Sequence, residues 1–240
     1  MGVIPSALSQ ALEPITIVCG HYGAGKTNFS VNLALDCAAS GRHVNLIDLD
    51  LVNPYFRATE QRRLLEHGGV EVIAPVFAEA GTSLDVPSIT GRIEPAIESS
   101  DADTITIIDV GGDDVGATAL GRYARLISSR RYAMLYVANA FRNLVQEIPD
   151  AVENLREIEI ASRLRATAIV DNAHLKADTD TDTLRNGFDY AIELSEAVEL
   201  PIACVTEPAR LADSFESSIE NVVQPGLLYP IQMLVKNPWE

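Results

Sequence analysis

The residues best equipped for chemistry lie close to the N-terminus. Gly20-His21-Tyr22-Gly23-Ala24-Gly25-Lys26-Thr27 is a complete G-x-x-x-x-G-K-T pattern. Its glycines let successive backbone N–H groups turn inward around a phosphate, and a helix starting at Lys26 adds its positive dipole end. Lys26 would neutralise the β and γ oxygens of a nucleotide, and Thr27 would present its hydroxyl to Mg²⁺. The plain alternative is a Gly-rich turn carrying an exposed lysine. A strand reading for Ile15 to Cys19 before the pattern and a helix reading after it favour the phosphate loop. The expected nucleotide-contacting run is Gly20, His21, Tyr22, Gly23, Ala24, Gly25, Lys26 and Thr27, extended to Asn28.

Two further acidic segments end apolar runs. Asp48 and Asp50 leave the second run in Ile47-Asp48-Leu49-Asp50, and Asp109 ends another in Ile108-Asp109-Val110-Gly111-Gly112. Alone, an Asp at a strand end is usually a helix cap or turn residue. In an open α/β sheet, however, ligands bind beyond the carboxyl ends of the strands, where these carboxylates would meet the metal and the terminal phosphate. Asp109 then reads as the metal-shell residue, with Thr27 and Asp48 beside it. Gly112 could offer its N–H to the γ-phosphate, and Asp50 could orient the attacking water. Lys26, Asp50 and Asp48 are the expected catalytic residues.

The elements that must position these groups are legible as short β-branched runs alternating with helical patterns. Strands are expected at Ile15 to Cys19, Val44 to Asp48, Val70 to Ala74, Thr104 to Asp109, Tyr132 to Val137, Ala166 to Asp171 and Pro201 to Val205. Their near-continuous apolar character suits strands buried on both faces of a parallel sheet. Helices are expected over Lys26 to Ser40, Arg57 to His67, Val86 to Ser99, Thr118 to Ser129, Pro149 to Ser162 and Thr183 to Val198, the last with Asp182 placed to cap it. About seven such alternations predict βαβ units and one doubly wound, mostly parallel α/β domain, and the G-x-x-x-x-G-K-T loop after its first strand makes the expected fold that of a P-loop NTPase. Residues 1–12 read as a lead-in, 13–225 as the nucleotide-binding domain and 226–240 as a C-terminal tail.

Composition narrows the class of partner. The chain has 240 residues, 47% of them hydrophobic and 22% charged, which is ordinary for a folded protein. Its net charge of −16 repels phosphate backbones and anionic headgroups on average, so bulk nucleic-acid binding is disfavoured. Cys19, Cys37 and Cys204 form no CxxC pair and read as buried thiols in a reducing compartment. No signal-peptide pattern and no apolar run of spanning length is present, so a cytoplasmic protein is expected. Asp178-x-Asp180-x-Asp182 is rejected as a calcium loop because the sixth position is Thr183 and the twelfth Asp189. The four histidines, His21, His43, His67 and His174, show no metal-ligand spacing.

Taken in order, the phosphate loop, D-x-D and D-x-x-G resemble the SIMIBI-class ParA/MinD-type P-loop ATPases, a group that includes the nucleotide-binding part of cobyrinic acid diamide synthases. The resemblance covers roughly residues 13 to 210. Its most telling part is Asp48-x-Asp50, the first Asp lying 22 residues after Lys26. It implies ATP and Mg²⁺ as cofactors, Asp50 as the hydrolytic aspartate, Asp48 and Asp109 near Mg²⁺, and Lys26 and Thr27 on phosphate and metal. It also implies that adenine lies near Asn172 and near Glu207-Pro208, in a loop after the last strand. A guanine-reading N-K-x-D is absent, which favours ATP over GTP.

One departure concerns the lysine that follows the first glycine of the family's pattern and reaches a partner's phosphates in an ATP-sandwich dimer. Here that position is His21, largely neutral at pH 7, and the next glycine is Tyr22. The ATP-dependent homodimer is therefore an open expectation. Arg57, Tyr55 and Phe56 follow the D-x-D segment; each reads either as ordinary packing or surface, or as part of a loop that moves with nucleotide state. Arg122, Arg125, Arg130 and Arg131 form a local basic cluster, with Arg122 and Arg125 on one helix face, that reads as a solvated face. The C-terminal Gln224 to Pro230 is broken by prolines and carries no basic amphipathic helix, so membrane cycling is not expected. Scattered cysteines give no expectation of an iron–sulfur cluster.

The resulting expectation is a slow Mg²⁺-dependent ATPase acting as a nucleotide-state switch or accessory factor for an unidentified protein partner. The alternatives are a small-molecule ligase or kinase of the diamide or dethiobiotin synthase kind, with a second pocket at Asn53, Tyr55, Arg57 and Asp113, and a non-hydrolysing module that holds ATP structurally.

Overall fold

A computed structural model describes residues 3–50, 62–74, 91–112, 114–175, 178–211, 223–224 and 226–235. In chain order its elements are α1 (Ser6–Ala11), β1 (Ile15–Cys19), α2 (Lys26–Ala39), β2 (His43–Leu49), α3 (Arg62–His67), β3 (Val70–Ile73), α4 (Ile93–Glu98) and β4 (Thr104–Val110). There follow α5 (Asp114–Gly121), α6 (Ala124–Ser128), β5 (Tyr132–Ala138), α7 (Ile148–Ser162), β6 (Ala168–Asp171), α8 (Thr181–Val198), β7 (Ile202–Pro208) and β8 (Leu228–Ile231). The strands form one eight-stranded sheet in the order β3-β2-β4-β1-β5-β6-β7-β8, every neighbouring pair parallel.

That order reverses at β1. The chain first builds outward through β2, β3 and β4 on one side of β1, then through β5 to β8 on the other. The crevice beyond the carboxyl end of β1 is thus the topological switch point, where open α/β sheets bind ligands.

Each strand feeds two cores because neighbouring side chains point to opposite faces. Ile15 and Ile17 join Ile47, Ile108, Leu120 and Leu155 on one face, while Val18 joins Phe29, Leu33, Leu46, Ile107 and Tyr229 on the other. This double burial explains why the strands read as unbroken apolar runs. At roughly 1.5–3 kcal/mol per buried large aliphatic side chain, the two cores supply most of the drive to fold.

Several expected boundaries move. The helix expected from Thr118 to Ser129 is two helices: Arg122 and Tyr123 close tight i→i+3 turns on Ala119 and Leu120, and Arg122 falls in the break instead of sharing a face with Arg125. The cap of α8 is Asp180, not Asp182. Its carboxylate accepts from the Thr183 backbone N–H at 2.9 Å and from the Thr183 hydroxyl at 2.7 Å. Arg131 pairs with Glu13 at 2.9 Å, so one member of the basic cluster joins the residues just before β5 to those just before β1.

The largest difference lies in residues 226–235, expected as a tail. Leu228–Ile231 is a sheet strand paired with β7, and Pro230 is tolerated because β8 is an edge strand with one neighbour. Three polar residues of α2, four apart in sequence, hold this segment. Asn28 Nδ2 donates to the Gln232 carbonyl at 3.0 Å and its Oδ1 accepts from Leu234 N–H at 2.8 Å. Asn32 Nδ2 donates to the same Gln232 carbonyl at 2.9 Å, while its Oδ1 accepts from Gln232 N–H at 2.9 Å. The Tyr229 hydroxyl donates to Asp36 at 2.8 Å.

Candidate nucleotide site

β1 delivers the chain straight into the phosphate loop. Gly20 has φ 141°, and a Cβ there would sit 2.4 Å from the Val137 carbonyl oxygen of β5, so only glycine lets the loop leave the sheet at this point. Gly25, at φ 89°, is the N-cap of α2 and turns the chain into the helix. Within the loop, Ala24 N–H and Lys26 Nζ both donate to the His21 carbonyl, at 3.2 and 3.0 Å. Lys26 is only 7% exposed, so its ammonium is held inside the loop and largely screened from bulk water.

Strand register brings the carboxylates to this loop. β2 and β4 are adjacent, with Asp48 opposite Asp109, and β1 sets Val18 opposite Asp109. Asp109 is buried on the α2 side, where its Oδ1 accepts from Ser30 Oγ at 3.1 Å. Burial pushes its carboxyl up to about 6, against the pull of the Thr27 hydroxyl, the Lys26 charge and Ser30; nearby Asp50 pushes it further up. Asp50 N–H donates to Asp48 Oδ1 at 3.0 Å, which fixes the two acidic residues relative to each other. Gly112 closes the far wall. A Cβ on it would lie 2.6 Å from Tyr22 N and Cα and 2.8 Å from Lys26 Nζ.

Lys26, Thr27, Asp48, Asp50, Asp109 and Gly112 are therefore drawn together at the switch point. His21 and Tyr22 form the loop's outer turn, with Tyr22 57% exposed. His21 Nδ1 donates to the Tyr22 carbonyl at 3.0 Å. Its ring is held below the usual histidine range, chiefly by burial and also by the Lys26 and Arg142 charges, while the bond to Tyr22 opposes the shift.

Three expected contacts are placed differently. Asn28 points to the C-terminal segment, where both ends of its amide are engaged, instead of to the loop. Asn172 is buried, and both ends of its amide are engaged within the protein. Its Nδ2 donates to the Ala24 carbonyl at 2.6 Å and its Oδ1 accepts from Thr206 Oγ1 at 2.6 Å, so in this conformation it braces the phosphate loop. Pro208 is not in a loop, because β7 runs on through it and pairs it with Ile231. Asn53, Tyr55, Phe56, Arg57 and Asp113 lie outside the described residues.

Two residues of the site carried no sequence signal. Ser30 lies one helical turn beyond Lys26 and binds Asp109. Arg142, from the loop after β5, donates through Nε to the Gly23 carbonyl. The spacing of Asn28, Asn32 and Asp36 on a helix buried nearly throughout was a readable sign of a polar clasp.

The site's donor set suits a magnesium-bound nucleotide: a buried lysine inside a glycine loop, a hydroxyl next to it, and a buried carboxylate touching that hydroxyl. Among the described residues there is no cluster of three or more His, Cys, Asp or Glu side chains able to hold a metal by themselves. No helix among the described residues is long and apolar enough to cross a membrane.

No protein-family model and no curated protein sequence matches the chain. Solved structures do. The cell division protein FtsY from Thermotoga maritima superposes with a TM-score of 0.54 at 17% identity, over 82% of this chain and 63% of that one. FtsY from Mycoplasma mycoides gives a TM-score of 0.51 at 19% identity, over 80% of this chain and 59% of that one. The chain thus spans less than two thirds of the length of either FtsY. At this level of identity the likeness is one of architecture, and it shows that this parallel α/β sheet with its glycine loop is the P-loop NTPase fold.

Proposed function

We propose that this protein is a Mg²⁺-dependent ATPase of the ParA/MinD kind, working as a nucleotide-state switch for a partner protein. The observation that carries the reading is the convergence of Lys26, Thr27, Asp109, Asp48 and Asp50 at the switch point of the sheet. Gly25 to Thr27 and the N-terminus of α2 bind the phosphates, and Lys26 supplies the fixed positive charge there. Thr27, with Asp48 and Asp109, would hold Mg²⁺, which neutralises charge on the β and γ oxygens when bound. Asp50, half-buried and tethered to Asp48 by its own N–H, orients water toward the terminal phosphate. Gly112 passes so close to Tyr22 and Lys26 that a γ-phosphate arriving at Lys26 meets the Gly111–Gly112 segment, which gives that segment a means of sensing nucleotide state.

ATP is preferred over GTP in this reading because Asn172 is followed by Ala173-His174-Leu175, without the acidic residue that reads guanine. Turnover is slow, since such sites work by positioning and charge stabilisation and gain rate when a partner completes them. The test is phosphate release from ATP·Mg²⁺ by wild type and Asp50→Ala, with molar mass followed by light scattering. The reading predicts slow release that Asp50→Ala abolishes while ATP is still bound, and a mass that responds to ATP but not to ADP. Unchanged release in Asp50→Ala would remove the assigned hydrolytic role.

A further inference from the structure

We propose that Arg142 is a second polyphosphate-contacting cation, supplied to the phosphate loop within the same chain by the loop after β5. The inference rests on the nucleotide reading above. It starts from the position of the guanidinium. Arg142 Nε donates to the Gly23 carbonyl, and a Cβ on Gly23 would lie 3.1 Å from the Arg142 Cζ and Nε. The guanidinium therefore covers the middle glycine of the loop, on the turn that His21 and Tyr22 begin. The adjoining His21 carbonyl accepts from Lys26 Nζ at 3.0 Å, and the His21 ring feels the charges of both Lys26 and Arg142.

A guanidinium carries five N–H donors in a planar fork matched to phosphate oxygens. The structure shows one of these used, on Gly23. Arg142 makes no ion pair with a carboxylate among the described residues, although the protein carries 34 acidic side chains against 18 basic ones. In so acidic a chain, an arginine set beside a phosphate loop and not matched to a carboxylate is suited to an anion from outside. Burial, with the Lys26 and Arg142 charges, holds the His21 ring below its ordinary range and so disfavours its charged form.

The loop that carries Arg142 has a fixed path. Asn139 Oδ1 accepts from Phe141 N–H at 3.0 Å, the Asn139 carbonyl from Arg142 N–H at 3.1 Å, and the Arg142 carbonyl from Val145 N–H at 3.3 Å. Val145 is buried in the core, and its carbonyl accepts from the Tyr190 hydroxyl at 2.5 Å. Between them Leu144 takes φ 72°, a left-handed conformation that a leucine adopts only when its surroundings impose it. The backbone under Arg142 is thus held in place while its side chain stays half-buried at the loop surface, an arrangement that lowers the ordering cost of binding.

The competing account is that Arg142 only braces the Gly23 peptide. Arg142→Gln separates the two, because it keeps an N–H donor for the carbonyl and removes the charge. The experiment is calorimetric titration of wild type, Arg142→Ala, Arg142→Gln, Arg142→Lys and Lys26→Ala with ATP·Mg²⁺ and AMP, with the nucleotide-free melting temperature of each. The proposal expects Arg142→Ala and Arg142→Gln each to weaken ATP binding about tenfold or more, the scale of one lost charge-assisted contact, and Arg142→Lys to stay within about threefold. AMP binding and the nucleotide-free melting temperature should hardly move. Wild-type affinity in Arg142→Gln, or in both neutral variants, would overturn the proposal. Full ATP binding in Lys26→Ala, or none in wild type, would instead overturn the nucleotide reading beneath it.

Discussion

Asn172 and Ala24 lie 148 residues apart in sequence, yet the Asn172 amide donates to the Ala24 carbonyl at 2.6 Å. The same amide accepts from Thr206 Oγ1, so the ends of β6 and β7 lock the phosphate loop against the sheet. Gly25 lies directly beneath this contact, with no room for a Cβ, which would sit 2.3 Å from Asn172 Nδ2.

Asn172→Ala therefore strands a buried carbonyl and a buried hydroxyl. Each unmatched buried polar group costs about 1–3 kcal/mol. Thermal denaturation should show a loss on that scale, and nucleotide titration should show weaker binding than wild type, because the loop loses its brace.

Gly112→Ala tests the wall facing the loop. The added methyl would meet Tyr22 backbone atoms at 2.6 Å, and a peptide backbone cannot rotate out of the way as a side chain can. The loop must shift, and a misplacement of about 1 Å costs on the order of a hundredfold in rate. Phosphate release should fall by that order, and the melting temperature should drop by a few degrees, the scale of an overpacked contact of about 1–3 kcal/mol.

Asp171 gives a pH signature. Burial raises its carboxyl to about 7, with the Ala173 N–H as the opposing hydrogen bond. The folded protein thus keeps this proton to about pH 7, whereas the unfolded chain releases it near the ordinary value of 3.8. Folding binds the extra proton between those limits, so this contribution is complete below about pH 4 and is lost as pH rises to about 7. Asp171→Asn has no such proton. Urea unfolding from pH 4 to 8 should show the variant gaining on wild type as pH rises, by at most about 4 kcal/mol.

Asn32→Ala breaks the clasp on the C-terminal segment. It removes bonds to the Asn28 carbonyl, the Gln232 carbonyl and Gln232 N–H, with a predicted cost of about 2–4 kcal/mol. Hydrogen exchange should rise first at Tyr229 to Leu234, and with it at the start of α2, because Asn28 shares the clasp.

Most of the sheet was readable because its strands are buried on both faces, and residues such as Ile107 and Ile108 must then both be apolar. The places of the glycine loop after β1 and of Asp48 and Asp109 near the carboxyl ends of β2 and β4 were readable because each follows an apolar run that ends there. β8 was not, since Leu-Tyr-Pro-Ile looks like a turn until an edge position makes the proline harmless. Arg142 reaches the site through a tertiary contact that leaves no spacing in sequence, and Ser30, one turn beyond Lys26, falls outside the motif. Asn172 and Asn28 were noticed for a ligand, but Asn28 bonds the C-terminal backbone, and Asn172 bonds the Ala24 carbonyl and the Thr206 hydroxyl. A sequence pattern names polar residues near a site without saying which way they face.

The central claim is that this loop binds nucleotide through Lys26. Calorimetric titration of wild type and Lys26→Ala with ATP·Mg²⁺ and GTP·Mg²⁺ tests it most directly. The account predicts one ATP bound per chain by wild type, weaker binding of GTP, and loss of ATP binding by about a hundredfold or more in Lys26→Ala as its buried charge contact disappears. Wild type that binds neither nucleotide, or a Lys26→Ala variant that binds ATP as tightly as wild type, would contradict it.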